Sequence, residues 1–200
     1  MKNMSSSLSL LGAFTLLLLS ILNPSMFAEA DDNRSTNDNF VHDTCNRFTY
    51  DELYKICIPE IDSDPREDLK TNLTGLLIIL VNHSISNFND NIEFLQREIK
   101  SEKLNGETKH MLDTCLENFE RGNRDLQETM HILHAQTGIG PYELPVIGIL
   151  NYIRDCVDEF EDVPKPLGYQ SRYNTSWNLM LLIASMCNVM KCNRVIACIP

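Results

Sequence analysis

Apolar residues recur along most of this chain at spacings of three and four, the period of an amphipathic α-helix, and few stretches alternate with a period of two. From Leu69 the apolar positions run Leu73, Leu76, Leu80, Phe88, Ile92, Leu95 and Ile99, one stripe along a first long helix. Its start is expected at Asp64, whose carboxylate can cap free N–H groups, with Pro65 suited to the first helical position and Glu67 completing a capping-box-like pattern. Its stop is expected at Asn105-Gly106. Residues 65–104 would then reach roughly 60 Å. The Asn/Ser-rich middle, residues 82–91, has low helical propensity and is the expected place for a bend.

A second helix carries Leu112, Cys115, Leu116, Phe119, Leu126, Met130 and Leu133 on one face, up to the breaker Thr137-Gly138-Ile139-Gly140-Pro141. A third carries Leu144, Ile147, Leu150, Ile153, Val157 and Phe160 and stops before Pro164-Lys165-Pro166 and Gly168. The fourth spans Tyr173 to Lys191, with Trp177, Met180, Leu181, Ala184 and Cys187 facing inward. Short connections favour antiparallel neighbours. The pattern therefore predicts an all-α, up-and-down four-helix bundle over residues 64–191, preceded by an N-terminal element at 40–63 and followed by a tail at 192–200. Apart from a polar lead at 31–39, the sequence contains no low-complexity tract, and it has no internal repeat.

The first thirty residues follow another pattern. Lys2 gives a weakly positive start, Leu8 to Leu22 is almost continuously apolar, and Ala28-Glu29-Ala30 has the small-x-small form of a signal peptidase site. A membrane anchor fits less well, because the run falls short of the ~20 residues a span needs and the polar stretch Asp31 to Asn39 follows at once. Residues 1–30 are expected to be a cleaved signal peptide. No second long apolar segment and no ER-retention tetrapeptide follows, so the product is expected to be secreted. Sequons at Asn33, Asn72, Asn82 and Asn174 are the glycosylation candidates. About 170 mature residues suffice for one domain with its own core, here 40–200.

Charge and chemistry narrow the class. The formal net charge of −11 is unchanged by signal cleavage, since Lys2 and Glu29 leave together; it argues against nucleic-acid and anionic-membrane partners. A basic protein partner fits it, and so does plain solubility. The chain has no Gly-x-Ser-x-Gly elbow, phosphate loop or His-Glu-x-x-His, so no readable catalytic signature is present. Glu107-x-x-His110 and Glu128-x-x-His131, with His134, superficially match a carboxylate-bridged metal bundle. Both fall on the same helix, about 31 Å apart, where they cannot converge. Asp158, Glu159, Glu161 and Asp162 read as a charged helix end without calcium-loop spacing. Seven cysteines without a Cys-x-x-Cys argue against zinc, and the chain calls for no metal or cofactor.

Taken in order, several local motifs resemble the plant invertase and pectin methylesterase inhibitor family. They are Cys45, Thr49-Tyr50, Cys57 and Asp64-Pro65; then Leu112-Asp113-Thr114-Cys115 with Asn118-Phe119; then Cys156-Val157-Asp158-Glu159-Phe160. The likeness covers roughly residues 40–190. It implies a cysteine-linked helical hairpin ahead of the bundle and the pairs Cys45–Cys57 and Cys115–Cys156, a choice that spacing alone does not make. In the chain-entropy account such links are worth about 3–4 kcal/mol each. Two departures stand out. The first pair encloses eleven residues, somewhat more than expected of the family, and Gly148-Ile149-Leu150-Asn151-Tyr152-Ile153 is bulkier than the family's small-residue run. Cys187 falls where many members keep a free thiol, whereas Cys192 and Cys198 look like additions.

By this resemblance the chain is a non-catalytic, monomeric inhibitor in the plant apoplast, whose extracellular target is pectin methylesterase or acid invertase. Many invertase inhibitors present Pro-Lys-Phe shortly before the fourth framework cysteine; here the comparable place reads Gly140-Pro141-Tyr142-Glu143. A neutral Tyr142 and an acidic Glu143 in place of the basic residue favour the esterase, which would meet the outer faces of residues 106–160. A different class, a helical module that binds a wall polymer or small ligand without inhibiting, is disfavoured because the sole Trp177 falls on the expected core face. The remaining cysteines yield a direct prediction. A non-reduced digest analysed by mass spectrometry should contain a peptide joining Cys192 to Cys198, with Cys187 free; a link from Cys187 to either would overturn the assignment.

Overall fold

The computed structural model describes residues 36–48, 51–101, 104–135, 145–160, 166 and 168–194. The expected signal peptide, the Asn33 sequon, the 137–141 breaker and Pro164-Lys165 lie outside them. Helix α1 covers residues 36–45, α2 Asp51–Asp62, α3 Leu73–Ile99, α4 Gly106–Ala135, α5 Val146–Asp158 and α6 Tyr169–Arg194; a 3-10 turn, Glu67–Thr71, stands between α2 and α3. Among the described residues there is no strand. Helix α3 packs against α4 and α6, and α5 against those same two, so chain order runs around an up-and-down four-helix bundle.

The first long helix does not begin at Asp64. Asp64 is buried, and its carboxylate accepts hydrogen bonds from Arg66 Nε and the Arg66 backbone N–H, each 2.9 Å, instead of capping a helix. Those bonds, reinforced by the nearby guanidinium, hold its pKa down to about 2 against the cost of burial. The cap is Asn72, whose Oδ1 accepts from Gly75 N–H at 2.9 Å. The chain before it crosses α3 so closely that a Cβ on Gly75 would sit 2.0 Å from Leu69 O. The helix is therefore 27 residues, about 40 Å, instead of the longer element read from the stripe. At its far end Asn105 does not stop α3 but starts α4, its Oδ1 accepting from Thr108 N–H at 2.7 Å.

Residues 75–81 of α3 are buried all round, because the hairpin covers the side that faces away from the bundle. The weakly helical middle stays helical without a break, since its asparagines have tertiary partners. Ser176 Oγ donates to Asn87 Oδ1 at 2.6 Å and receives Asn91 Nδ2 at 2.8 Å, while Asn123 Nδ2 donates to Asn89 Oδ1 at 2.8 Å. Between these seams lies the apolar centre. Phe88 meets Phe119 edge to face at 5.0 Å, and Gly122 makes room: a Cβ there would stand 2.5 Å from the Phe88 ring.

In the N-terminal hairpin, Cys45 and Cys57 form a disulfide, with Val41, Phe48, Leu53 and Ile61 buried beside it. Helix α2 rests on α3 and α6. Its last carbonyl is met by a buried lysine: Lys70 Nζ donates to Asp62 O at 3.4 Å and also to the Glu67 carboxylate, Oε1, at 2.8 Å.

Two glycines separate packing from helix propensity. Gly75→Ala forces a methyl into the Leu69 carbonyl and should lower unfolding stability by about 2–3 kcal/mol. The Cβ of Gly148→Ala enters open space on α5, so this variant should gain about 0.5–1 kcal/mol. Urea denaturation of the two variants beside wild type checks both signs.

Candidate partner-binding face

A bundle binds through what its helices turn outward, and in α5 one linkage decides that. Cys115 of α4 and Cys156 of α5 form a buried disulfide, with Cα atoms 4.7 Å apart. Tyr169, at the start of α6, closes over it. Its hydroxyl donates to Cys156 O at 2.9 Å and lies 2.8 Å from Cys156 Sγ, and its ring packs on Phe160 at 4.9 Å. Burial pushes the Tyr169 phenol far up, so it remains a donor at any physiological pH. With Cys156 fixed inward, the residues one and two turns away follow it: Ile149, Ile153 and Phe160 are buried, and Ile149 lies beside Gly122.

This rotation shifts the buried side away from part of the expected third-helix stripe. Ile153 and Phe160 are in the core, but Ile147 is 76% exposed and Leu150 and Val157 are only partly buried. Leu144 lies outside the described residues. The stripe read from periodicity thus holds at Ile153 and Phe160 and fails at Ile147; Val146, Ile149 and Cys156 complete the buried side. Ile147, Asn151, Arg154 and Asp158, at spacings of four, three and four, share the outward face, where Arg154 Nη2 donates to Asn151 Oδ1 at 2.9 Å. On α4 the exposed stripe is charged and mixed: Asp113, Glu117, Arg121, Arg124, Glu128 and His131. Tyr173 and Trp177 of α6 stack at 6.0 Å, both part-buried, so Trp177 is less enclosed than its expected core position. Burial and the Asp158 charge raise the Tyr173 pKa, while Arg154 opposes them, which sets Tyr173 along the α5 flank.

Other sites from the sequence fall elsewhere. Asn72, Asn82 and Asn174 are exposed, on α6 or on α3 and its cap. Residues 106–158 contain no sequon. Cys187 is a buried free thiol whose pKa burial pushes up to about 12, which leaves it unreactive. Cys192 is in the last turn of α6 with its side chain outside the described set, as are Cys198, Tyr142 and Glu143. Glu107, His110, Glu128, His131 and His134 are exposed along α4. Among the described residues no three potential ligands gather to hold a metal, and no helix is long and apolar enough to cross a membrane.

A cystine-stapled bundle that presents such a surface is the frame of a protein-binding module, and comparison with known proteins agrees. The family described as plant invertase/pectin methylesterase inhibitor matches residues 39–188. The chain belongs to that family. Two solved structures share its fold: a mutant form of a pectin methylesterase inhibitor from Arabidopsis (TM-score 0.60, 16% identity, covering 72% of this chain and 92% of that one) and a pectin methylesterase inhibitor from Arabidopsis thaliana (TM-score 0.53, 16% identity, covering 74% and 93%). No individually curated protein matches the chain.

One carboxyl on this surface is tuned. Asp125 of α4 is part-buried, and burial together with Glu128 raises its pKa against the pull of Arg124. A carboxyl raised in the folded state stabilises the fold only while protonated, and that contribution is lost as pH rises. Asp125→Asn should therefore be more stable than wild type at neutral pH. The difference should vanish below the ordinary carboxylate range, as urea midpoints at about pH 7 and pH 3 would show.

Proposed function

We propose that the mature chain is a secreted inhibitor of a plant cell-wall pectin methylesterase, binding it as a monomer and occluding its substrate cleft. The family match across residues 39–188 carries this reading. Gly140-Pro141-Tyr142-Glu143, standing where many invertase inhibitors present Pro-Lys-Phe, favours the esterase over the invertase, and the two similar structures are both of pectin methylesterase inhibitors. Residues 1–30 act as the signal peptide, the apoplast is the destination, and Asn33, Asn72, Asn82 and Asn174 are glycan acceptors. The esterase meets the outward faces of α4 and α5. There Ile147 supplies an exposed apolar contact on a face shared with Asn151 and Arg154. The net charge of −11 speeds encounter with a basic enzyme, chiefly at low salt.

Acid invertase is the second reading, because the family covers inhibitors of both enzymes. Residual activity of each enzyme, measured with the purified mature chain at mildly acidic pH, separates the two. Loss of esterase activity alone is the expected result; loss of invertase activity alone transfers the proposal to the second target, and no loss in either overturns both. Ile147→Asp tests the face. Being exposed, it should leave the melting temperature unchanged and raise the inhibition constant about tenfold.

A further inference from the structure

Each sequon on the described helices has to offer two side chains in a single event. The asparagine Nδ2 takes an oligosaccharide from a lipid diphosphate: an N–C bond forms at the anomeric carbon, the C–O bond to the diphosphate breaks, and Nδ2 gives up a proton. The transferring enzyme binds the hydroxyl two residues further on at the same time. In an α-helix those residues point about 200° apart, so a helical sequon cannot present both groups to one active site. Packing adds to this at two positions. Asn82 on α3 is exposed, but Ser84 is fully buried and its hydroxyl donates to Leu80 O at 2.9 Å. Asn174 on α6 is exposed, but Ser176 is fully buried in the seam with α3, where it donates to Asn87 Oδ1 at 2.6 Å and receives Asn91 Nδ2 at 2.8 Å. Asn72 differs. It is an N-cap with extended backbone, and its side chain and that of Thr74 are both exposed. Its Nδ2 donates to the exposed Thr71 hydroxyl at 3.2 Å while Oδ1 holds the Gly75 N–H, so a glycan on Nδ2 leaves the cap in place.

We propose that folding gates the N-glycosylation of this chain: Asn82 and Asn174 accept a glycan only before α3 has formed and α6 has docked on it, whereas Asn72 remains an acceptor after the bundle has closed. The inference rests on the secreted reading of the chain, which brings it to the transferring enzyme. Both gated asparagines are themselves exposed, so a glycan attached early projects into solvent and leaves the seam free to form. A glycan attached late has to break the fold first. Drawing Ser176 out strands the buried Asn91 amide and takes the hydroxyl from Asn87. Drawing Ser84 out unwinds α3 between Leu80 and Phe88, both of which are in the core. At Asn72 only the first turn of α3 has to yield, and helix ends open at far lower cost than helix centres. Occupancy of Asn82 and Asn174 is therefore set by a race between transfer and closure of the bundle. The two disulfides, by stabilising the closed state, shorten the time in which that race is run.

The test gives the full mature chain, made without glycans, to a purified oligosaccharyltransferase and its lipid-linked oligosaccharide, in two forms: folded with both disulfides intact, and reduced, alkylated and unfolded. Mass spectrometry of the digests reads the rate at each asparagine. The unfolded form measures how good each sequon is as a bare peptide, so the ratio of the two rates isolates the effect of the fold. Asn82 and Asn174 should react about a hundredfold or more slowly in the folded form, because their hydroxyls are reached only through near-global opening. Asn72 should lose less than about tenfold, the cost of opening one terminal turn. Equal rates at Asn82 or Asn174 in the two forms, a hundredfold loss at Asn72, or no transfer to Asn82 and Asn174 even in the unfolded form overturns the proposal. A second measurement follows occupancy in secreting plant cells. A mild reductant that delays disulfide formation should raise occupancy at Asn82 and Asn174 and leave Asn72 unchanged, and no rise at either overturns the race. Should the chain not be secreted, none of the sites acquires a glycan in cells while the ratios with the purified enzyme stand, which separates that failure from failure of the gate.

Discussion

The link between Cys115 and Cys156 sets more of this molecule than its contribution to stability conveys. It is a rotational constraint: with the two Cα atoms 4.7 Å apart, α5 has one orientation about its axis in which the sulfurs meet. Ile149 is thereby turned toward Gly122, Phe160 toward Tyr169, and Ile147 toward solvent. The cystine thus decides which residues of α5 enter the core and which are left to solvent.

A second constraint acts where the hairpin joins the bundle. Charged groups rarely enter a protein interior unless paired. Here Asp64 and Lys70 are both buried within a few residues of each other, and each has its counter-charge from the same short segment: Arg66 for one, Glu67 for the other. The segment compresses into a 3-10 turn, passes over Gly75, and hands the chain to Asn72. That local pairing explains why the apparent cap at Asp64 is not one. Its carboxylate has a stronger partner two residues away than any helical N–H group.

Much of this architecture is legible in the amino-acid order. The period of the apolar residues locates the four bundle helices, and the motifs around the cysteines point to the family. Element ends were less legible, and for identifiable reasons. Asn72 and Asn105 are ordinary N-cap residues, but each lies near a more conspicuous signal, Asp64-Pro65 in one case and an apparent Asn-Gly stop in the other. The Asn/Ser-rich middle of α3 looked weak because propensity counts only local costs, whereas Asn87, Asn89 and Asn91 each gain a partner on another helix. The outward face was the least legible part. Ile147 is a lone apolar residue on a face otherwise made of Asn151, Arg154 and Asp158, and a spacing of three from Leu144 and Leu150 drew it into the expected core stripe.

The polar seams on either side of the apolar centre have a consequence for how the bundle assembles. Apolar ridges tolerate a slide of one helix along another, since one leucine replaces the next at little cost. Hydrogen bonds such as Asn91 to Ser176 and Asn123 to Asn89 do not, because a shift by one turn, about 5.4 Å, leaves each asparagine buried without its partner. Residues that look like weak points in α3 thus act as a vernier. They discard collapsed states in which the helices are correctly chosen but wrongly aligned, before the sulfurs of Cys115 and Cys156 make any alignment permanent.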